Sequence, residues 1–153
     1  MPCHSAIVEK NVTVKADETV ENALKALRKG KVSAVAVLGE DQTFLGFFSM
    51  KVLLRNLIPV SVAVTEGVQM DITLPAAPGV AKRLQNMMLL SVSDIMDRKP
   101  VTLEPDAPVW KAVSLLTKNG NPLTIIDDKD RFYGFITYDS LVSDLENFET
   151  TDS

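Results

Sequence analysis

The chain has 153 residues, 46% hydrophobic and 24% charged, with a formal net charge of −4 and a pI near 5.0. That size suits one compact domain or two small halves sharing a core, and the acidic balance excludes a broad basic surface for nucleic acid or anionic membrane. Any bound anion must therefore be held locally.

The opening "MPCHSAIVEKN" holds the single cysteine, Cys3, and the single histidine, His4. One cysteine excludes an internal disulfide, and its place near the terminus predicts a frayed segment with a solvent-facing thiol. A lone imidazole lacks the partners a metal site requires, so neither a metal nor a catalytic constellation is expected. The opening lacks a charged start followed by a long apolar core, and apolar runs such as "LIPVSVAV" (57–64) are too short to cross a bilayer. A cytoplasmic protein with no membrane or nucleic-acid partner is expected.

A short β segment at 12–14 leads to a helix in which Val20, Ala23, Leu24 and Leu27 recur at i, i+3, i+4 and i+7. "VSAVAVL" (32–38) and "FLGFF" (44–48) then form a hairpin around "GEDQ", and a second helix carries Leu53, Leu54 and Leu57. Residues 59–91 read as an ordered connector broken by Pro75, Pro78 and Gly79. Within it, "GVAKRLQNMMLL" forms a helix with Val80, Leu84, Met87 and Met88 on one face, packed on a neighbouring helix.

From residue 101 the pattern starts again. A β segment at 101–103 precedes a helix with Pro108 in its first turn and Asn119-Gly120 as its stop. "PLTIID" (122–127) pairs with "RFYGFI" (131–136), and a last helix carries Leu141, Val142, Leu145 and Phe148. At an offset of 89, Val12, Thr13, Asp17, Val20, Ala23, Leu27 and Lys29 recur as Val101, Thr102, Asp106, Val109, Ala112, Leu116 and Lys118. At an offset of 88, Gly46, Phe47, Leu53 and Leu57 recur as Gly134, Phe135, Leu141 and Leu145. The fold class is thus mixed α/β (α+β): two β-α-β-β-α units at 1–58 and 92–148, a connector at 59–91, and a tail at 149–153.

The second copy, "VSDIMDRKPVTLEPDAPVWKAVSLLTKNGNPLTIIDDKDRFYGFITYDSLVSDL" (92–145), strongly resembles a cystathionine-β-synthase (CBS) domain, and the first copy resembles it more weakly. Together they look like a tandem pair, or Bateman module. The resemblance implies two units packed about a pseudo-twofold axis with two clefts between their sheets. It implies binding of AMP, ADP, ATP or S-adenosylmethionine as a regulatory ligand, with no required cofactor and no catalysis, and control of an unidentified partner protein. A homodimer is also implied, formed through the helices bearing Leu53, Leu54, Leu57, Leu141, Val142 and Leu145.

In the family, the third strand runs into a helix as Gly-apolar-apolar-Ser/Thr-x-x-Asp, the hydroxyl meeting phosphate and the carboxylate meeting the ribose diol. Copy two has "GFITYDS" (134–140), with Thr137 at the hydroxyl and Ser140 at the acid position. Asp139 does not replace the acid, because the next residue of a helix points about 100° away. Copy one has "GFFSMKV" (46–52), with Ser49 and Val52. Family correspondence assigns Thr102, Asn121, Pro122, Leu123, Thr137 and Ser140 to the dominant cleft and Thr13 and Ser49 to a weaker one. Asn121, Pro122 and Leu123 would meet the adenine, in "NGNPL" (119–123). The family's proline before the strand-ending Asp127 is Thr124 here, and Ala36 in copy one.

Simpler readings stand beside these. Ser49 and Thr137 serve equally as helix caps, Thr13 and Thr102 as β-formers, and Asn-Gly-Asn-Pro as a turn. Two functions follow: a nucleotide sensor reporting to a partner, or a ligand-independent dimerisation and docking module with eroded sites. Nucleotide hydrolysis lacks the required carboxylate pair and glycine loop.

Overall fold

The computed structural model describes residues 2–57 and 77–152. The run at 58–76, which holds most of "LIPVSVAV", and the side chain of Phe148 lie outside the described residues.

Unit 1 comprises β1 (Thr13–Lys15), α1 (Val20–Gly30), β2 (Val35–Leu38), β3 (Phe44–Phe48) and α2 (Met50–Leu57). The connector contributes α3 (Ala77–Met87). Unit 2 comprises β4 (Thr102–Leu103), α4 (Val109–Asn119), β5 (Leu123–Ile126), β6 (Phe132–Ile136) and α5 (Tyr138–Asp152). Each unit has one three-stranded sheet, β1-β2-β3 or β4-β5-β6, with its first pair parallel and its second antiparallel. The repeat is therefore reproduced strand for strand.

Local chemistry accounts for these boundaries. The Thr19 hydroxyl caps α1 by accepting from Asn22 N–H at 3.1 Å, and Lys31 ends it in the left-handed region at φ 54°. The four apolar positions of α1 are all buried. Pro108 precedes the first residue of α4, and Gly120 at φ 82° follows its last. Pro78 and Gly79, expected to break the connector, lie in the first turn of α3, where an imino nitrogen costs no helical bond. Met87 is buried, and with Leu84 and Met88 it packs on the unit 1 core.

The two sheets meet through aromatic rings. Phe44 stacks on Phe132 with centroids 5.5 Å apart, and Phe47 meets Phe135 edge-on at 6.3 Å. Beside them, Phe44 N–H donates to Asp130 O at 2.8 Å, so β3 also joins the turn before β6 through backbone.

The opening segment corrects the reading of a frayed tail. Residues Cys3–Ala6 form a 3₁₀ turn, and Cys3 and Ala6 are buried in the core of unit 2. Cys3 N–H donates to Ala107 O at 2.8 Å and His4 N–H to Pro105 O at 3.1 Å. At the same offset of 89, Val92 N–H donates to Glu18 O at 2.7 Å and Ser93 N–H to Ala16 O at 3.3 Å. Each unit thus sends its leading arm into the core of the other. The Cys3 thiol is not solvent-facing: burial pushes its pKa up, a backbone hydrogen bond partly offsets this, and Asp106 adds to it.

The arms explain the repeated glycines. Phe47 N–H and Asp97 N–H each donate to the other's carbonyl, at 3.1 and 2.9 Å, and a Cβ on Gly46 would overlap Asp97 O. Across the pseudo-twofold, Val8 N–H donates to Phe135 O at 2.9 Å, and a Cβ on Gly134, at φ 150°, would overlap Ile7 Cγ2. Close approach is required at both places, and it is made by the other unit's arm.

Thr124, at the family's proline position, is fully buried, and its Oγ1 has no hydrogen-bond partner among the described residues. Thr124→Val keeps the volume and removes the orphan hydroxyl. It is expected to stabilise the fold by about 1 kcal/mol, measured by urea denaturation.

Candidate functional site

A cavity of about 240 Å³ opens where the end of β3 and the start of α2 face the second unit. Unit 1 contributes Phe47, Ser49, Met50, Lys51, Val52 and Arg55. The second unit's arm contributes Asp97, Lys99 and Pro100, and the turn after α4 contributes Asn119, Gly120, Asn121 and Pro122. Each wall follows from the fold. The β3-to-α2 junction exposes the first turn of α2, while the Phe47–Asp97 pairing carries the unit 2 arm alongside it.

The cleft is cationic within an acidic protein. Lys51, Arg55 and Lys99 line it against one carboxylate, Asp97, whose Oδ2 lies 3.9 Å from Arg55 Nη1. Asp97 is further committed, because its Oδ1 accepts from Lys99 N–H at 2.9 Å. Lys51 and Arg55 are four residues apart, which puts both on the helix face that follows Ser49. That spacing is visible in "SMKVLLR" (49–55), although exposed charges at helical spacing usually mark a solvated surface. Lys99 could be placed only through the arm exchange.

The predicted site residues fall into separate groups. Ser49 joins Asn121 and Pro122 in this cleft, across the boundary between units. Thr13 lines a different, open groove with Asp17, Glu18, Glu40 and Asp41, and it does not join Ser49. Thr102 is exposed on β4, and Leu123 is buried in the unit 2 core. Thr137 and Ser140 cap α5 reciprocally: Thr137 Oγ1 accepts from Ser140 N–H at 3.2 Å and Ser140 Oγ accepts from Thr137 N–H at 2.9 Å. Ser49 Oγ likewise accepts from Val52 N–H at 3.2 Å. The hydroxyls therefore serve as caps in both copies. Asn121 Oδ1 accepts from Tyr138 N–H at 2.9 Å, which pins the "NGNPL" turn to the start of α5.

Of the six side chains expected on a dimer face, Leu53 and Leu141 are buried and Leu57 and Leu145 half-buried. Leu54 and Val142 remain exposed, so the apolar face is narrower than the sequence implied. His4 lines a shallow pocket with Glu104, Asp106, Asp127 and Asp128, and no group among the described residues has the arrangement to hold a metal ion. The Arg131 and Lys129 backbone N–H groups hold the Asp127 carboxyl below the usual carboxylate range, with help from the Arg131 side chain at 2.8 Å. Asp127 therefore closes the β5–β6 turn. Among the described residues, no helix is long and apolar enough to cross a membrane.

Comparison with known proteins gives the same layout. A CBS-domain family model matches residues 5–59 and 92–147. An uncharacterized protein of Methanocaldococcus jannaschii is 24% identical over 154 residues, covering 91% of this chain and 88% of its own length. The crystal structure of CBSX2, a CBS-pair protein from Arabidopsis thaliana, is similar with a TM-score of 0.73 at 18% identity, covering 97% of this chain and 96% of its own. CBSX2 in complex with AMP is similar with a TM-score of 0.71 at 18% identity, over 97% and 98% of the two chains.

Proposed function

Because the chain belongs to the CBS-domain family, as a tandem pair of such domains, we propose that it is a regulatory protein, not an enzyme, that binds an adenosine-containing nucleotide between its two units. Occupancy is passed to a partner protein. The observation that carries this reading is the cleft joining Ser49 to Asn121 and Pro122, lined by Lys51, Arg55 and Lys99. Three cations against one partly committed carboxylate favour an anionic phosphate group, and the turn at 119–122 gives an adenine a backbone edge to meet. The AMP complex of CBSX2 supports the ligand class.

The dominant site is assigned to this cleft. The symmetric corner at Thr137, Ser140 and Thr102 ranks second, since Asp139 and Ser143 stand at the repeat positions of Lys51 and Arg55. Val52 offers no acceptor to a ribose, so phosphate carries most of the affinity. That ranks ATP and ADP above AMP, and places S-adenosylmethionine, with its sulfonium cation, last. A homodimer through Leu54 and Val142 accompanies this reading.

Calorimetric titration tests it. One dominant site per chain is expected, binding ATP and ADP more tightly than AMP and AMP more tightly than adenosine, with affinity falling as salt rises. Lys51→Ala should weaken ATP about tenfold, the loss of one charge-assisted bond to phosphate. Absence of heat with every nucleotide, with no rise in melting temperature, would favour the second reading: a docking module without a ligand, supported by Val52 and the committed caps.

A further inference from the structure

The one carboxylate of the cationic cleft does nothing for the fold that an uncharged side chain could not do. Asp97 brings the unit 2 arm to the cleft through its backbone, whose N–H and carbonyl both pair with Phe47. At the offset of 89, Val8 holds the equivalent place in the other arm, and its N–H donates to Phe135 O in the same way. An apolar side chain therefore suffices for that pairing. The Asp97 side chain also closes a short turn, its Oδ1 accepting from Lys99 N–H at 2.9 Å, but an asparagine oxygen closes such a turn equally well. What only the aspartate supplies is negative charge.

That charge is fixed where it stands. The pairing with Phe47 holds the backbone, the turn holds Oδ1, and 23% of the side chain is exposed, against 58% for Arg55. Arg55 Nη1 lies 3.9 Å from Oδ2, too far for a hydrogen bond, so Arg55 can swing to a ligand while Asp97 stays. Arg98, the other cation of this turn, is directed elsewhere: its Nη2 donates to Ser93 O at 2.6 Å. A phosphate entering beside Lys51, Arg55 and Lys99 thus meets a carboxylate that does not withdraw.

On the reading that this cleft binds a nucleotide, we propose that Asp97 is its specificity-determining residue for phosphate charge. The three cations draw phosphate in, and the fixed carboxylate repels each further negative charge. Asp97 therefore sets how steeply affinity rises with phosphate charge, and with it how strongly ATP is preferred to AMP.

Calorimetry on the full chain, in EDTA at low ionic strength, compares wild type with Asp97→Asn using adenosine, AMP, ATP and inorganic triphosphate. The asparagine keeps the Lys99 turn and both backbone bonds to Phe47, so the urea midpoint should not move. The variant should bind ATP and triphosphate about tenfold more tightly and AMP about threefold more tightly, with adenosine unchanged. Asp97→Glu, which keeps the charge, should hold the ATP-to-AMP ratio within about twofold of wild type. A merely structural role would weaken every ligand alike and could not produce a gain that grows with ligand charge. The proposal is overturned if Asp97→Asn leaves the ATP-to-AMP ratio unchanged. It is equally overturned if adenosine and ATP weaken together, since the carboxylate would then be contacting the sugar. Both of those results leave nucleotide binding standing. Conversely, if adenosine, AMP and ATP give no heat while triphosphate tightens in the variant, the nucleotide reading fails and the role of Asp97 is upheld. No heat with any of the four, triphosphate included, overturns both.

Discussion

Gly46→Ala is expected to destabilise the protein by about 3 kcal/mol or more, a drop in melting temperature on the order of 6–12 °C for a chain of this size. The obstacle is backbone: a Cβ at this position meets the Asp97 carbonyl, which two hydrogen bonds to Phe47 hold in place. Gly134→Ala should cost a comparable amount for a different reason. Ile7 can give at its Cγ2 end, but Asn11 stands 3.0 Å from the new Cβ and φ 150° is costly for any residue with a side chain. Gly39→Ala is the control, since it meets only the Leu45 side chain, at 3.0–3.5 Å, and should cost less than about 1 kcal/mol. If Gly46→Ala unfolded at the control's urea concentration, the close approach of the arm would be refuted.

Removing residues 2–8 should be more damaging still, on the order of 5 kcal/mol. Three backbone hydrogen bonds disappear, from Cys3, His4 and Val8, and the core of unit 2 loses buried Cys3 and Ala6 and half-buried Ile7. The damage should fall on the half farther along the chain. Hydrogen exchange is expected to quicken in β5, β6, α4 and α5 before it quickens in β2 and β3. Wild-type protection in β5 and β6 after truncation would mean that the arm merely decorates the surface.

Much of the fold was legible because the repeat and the apolar periods agreed. Val20, Ala23, Leu24 and Leu27 are buried as their spacing requires, and both hairpins fall where Gly and Asp interrupt the apolar runs. The arms were not legible. "PCHSAIVE" (2–9) and "SVSDIMDR" (91–98) share no identical residue at the offset of 89; only apolar character is kept, at Cys3 and Val92, Ala6 and Ile95, Ile7 and Met96. Proximity to a terminus then suggested fraying where burial prevails.

The candidate site was half legible for the same reason. Ser49, Asn121 and Pro122 were singled out, yet assigned to different clefts, because sequence comparison groups residues by copy while the arm exchange builds the cleft across copies. The charged wall of Lys51, Arg55 and Lys99 was missed. Lysines and arginines at helical spacing look like a solvated surface until a second chain segment is seen opposite them.

The exchanged arms also set an order of events during synthesis. Residues 2–8 leave the ribosome before their seats exist, because those are built from Pro105, Ala107 and Phe135, which come more than ninety residues later. At translation speeds of about 5–20 residues per second, Cys3, Ala6 and Ile7 wait roughly 5–25 seconds without their native partners. Unit 1 meets the mirror-image delay, since α1 lacks Val92, Ile95 and Met96 until the second arm emerges. The nascent chain therefore exposes apolar surface at both ends of its first half for most of its synthesis, which makes that interval the time when it most needs a chaperone.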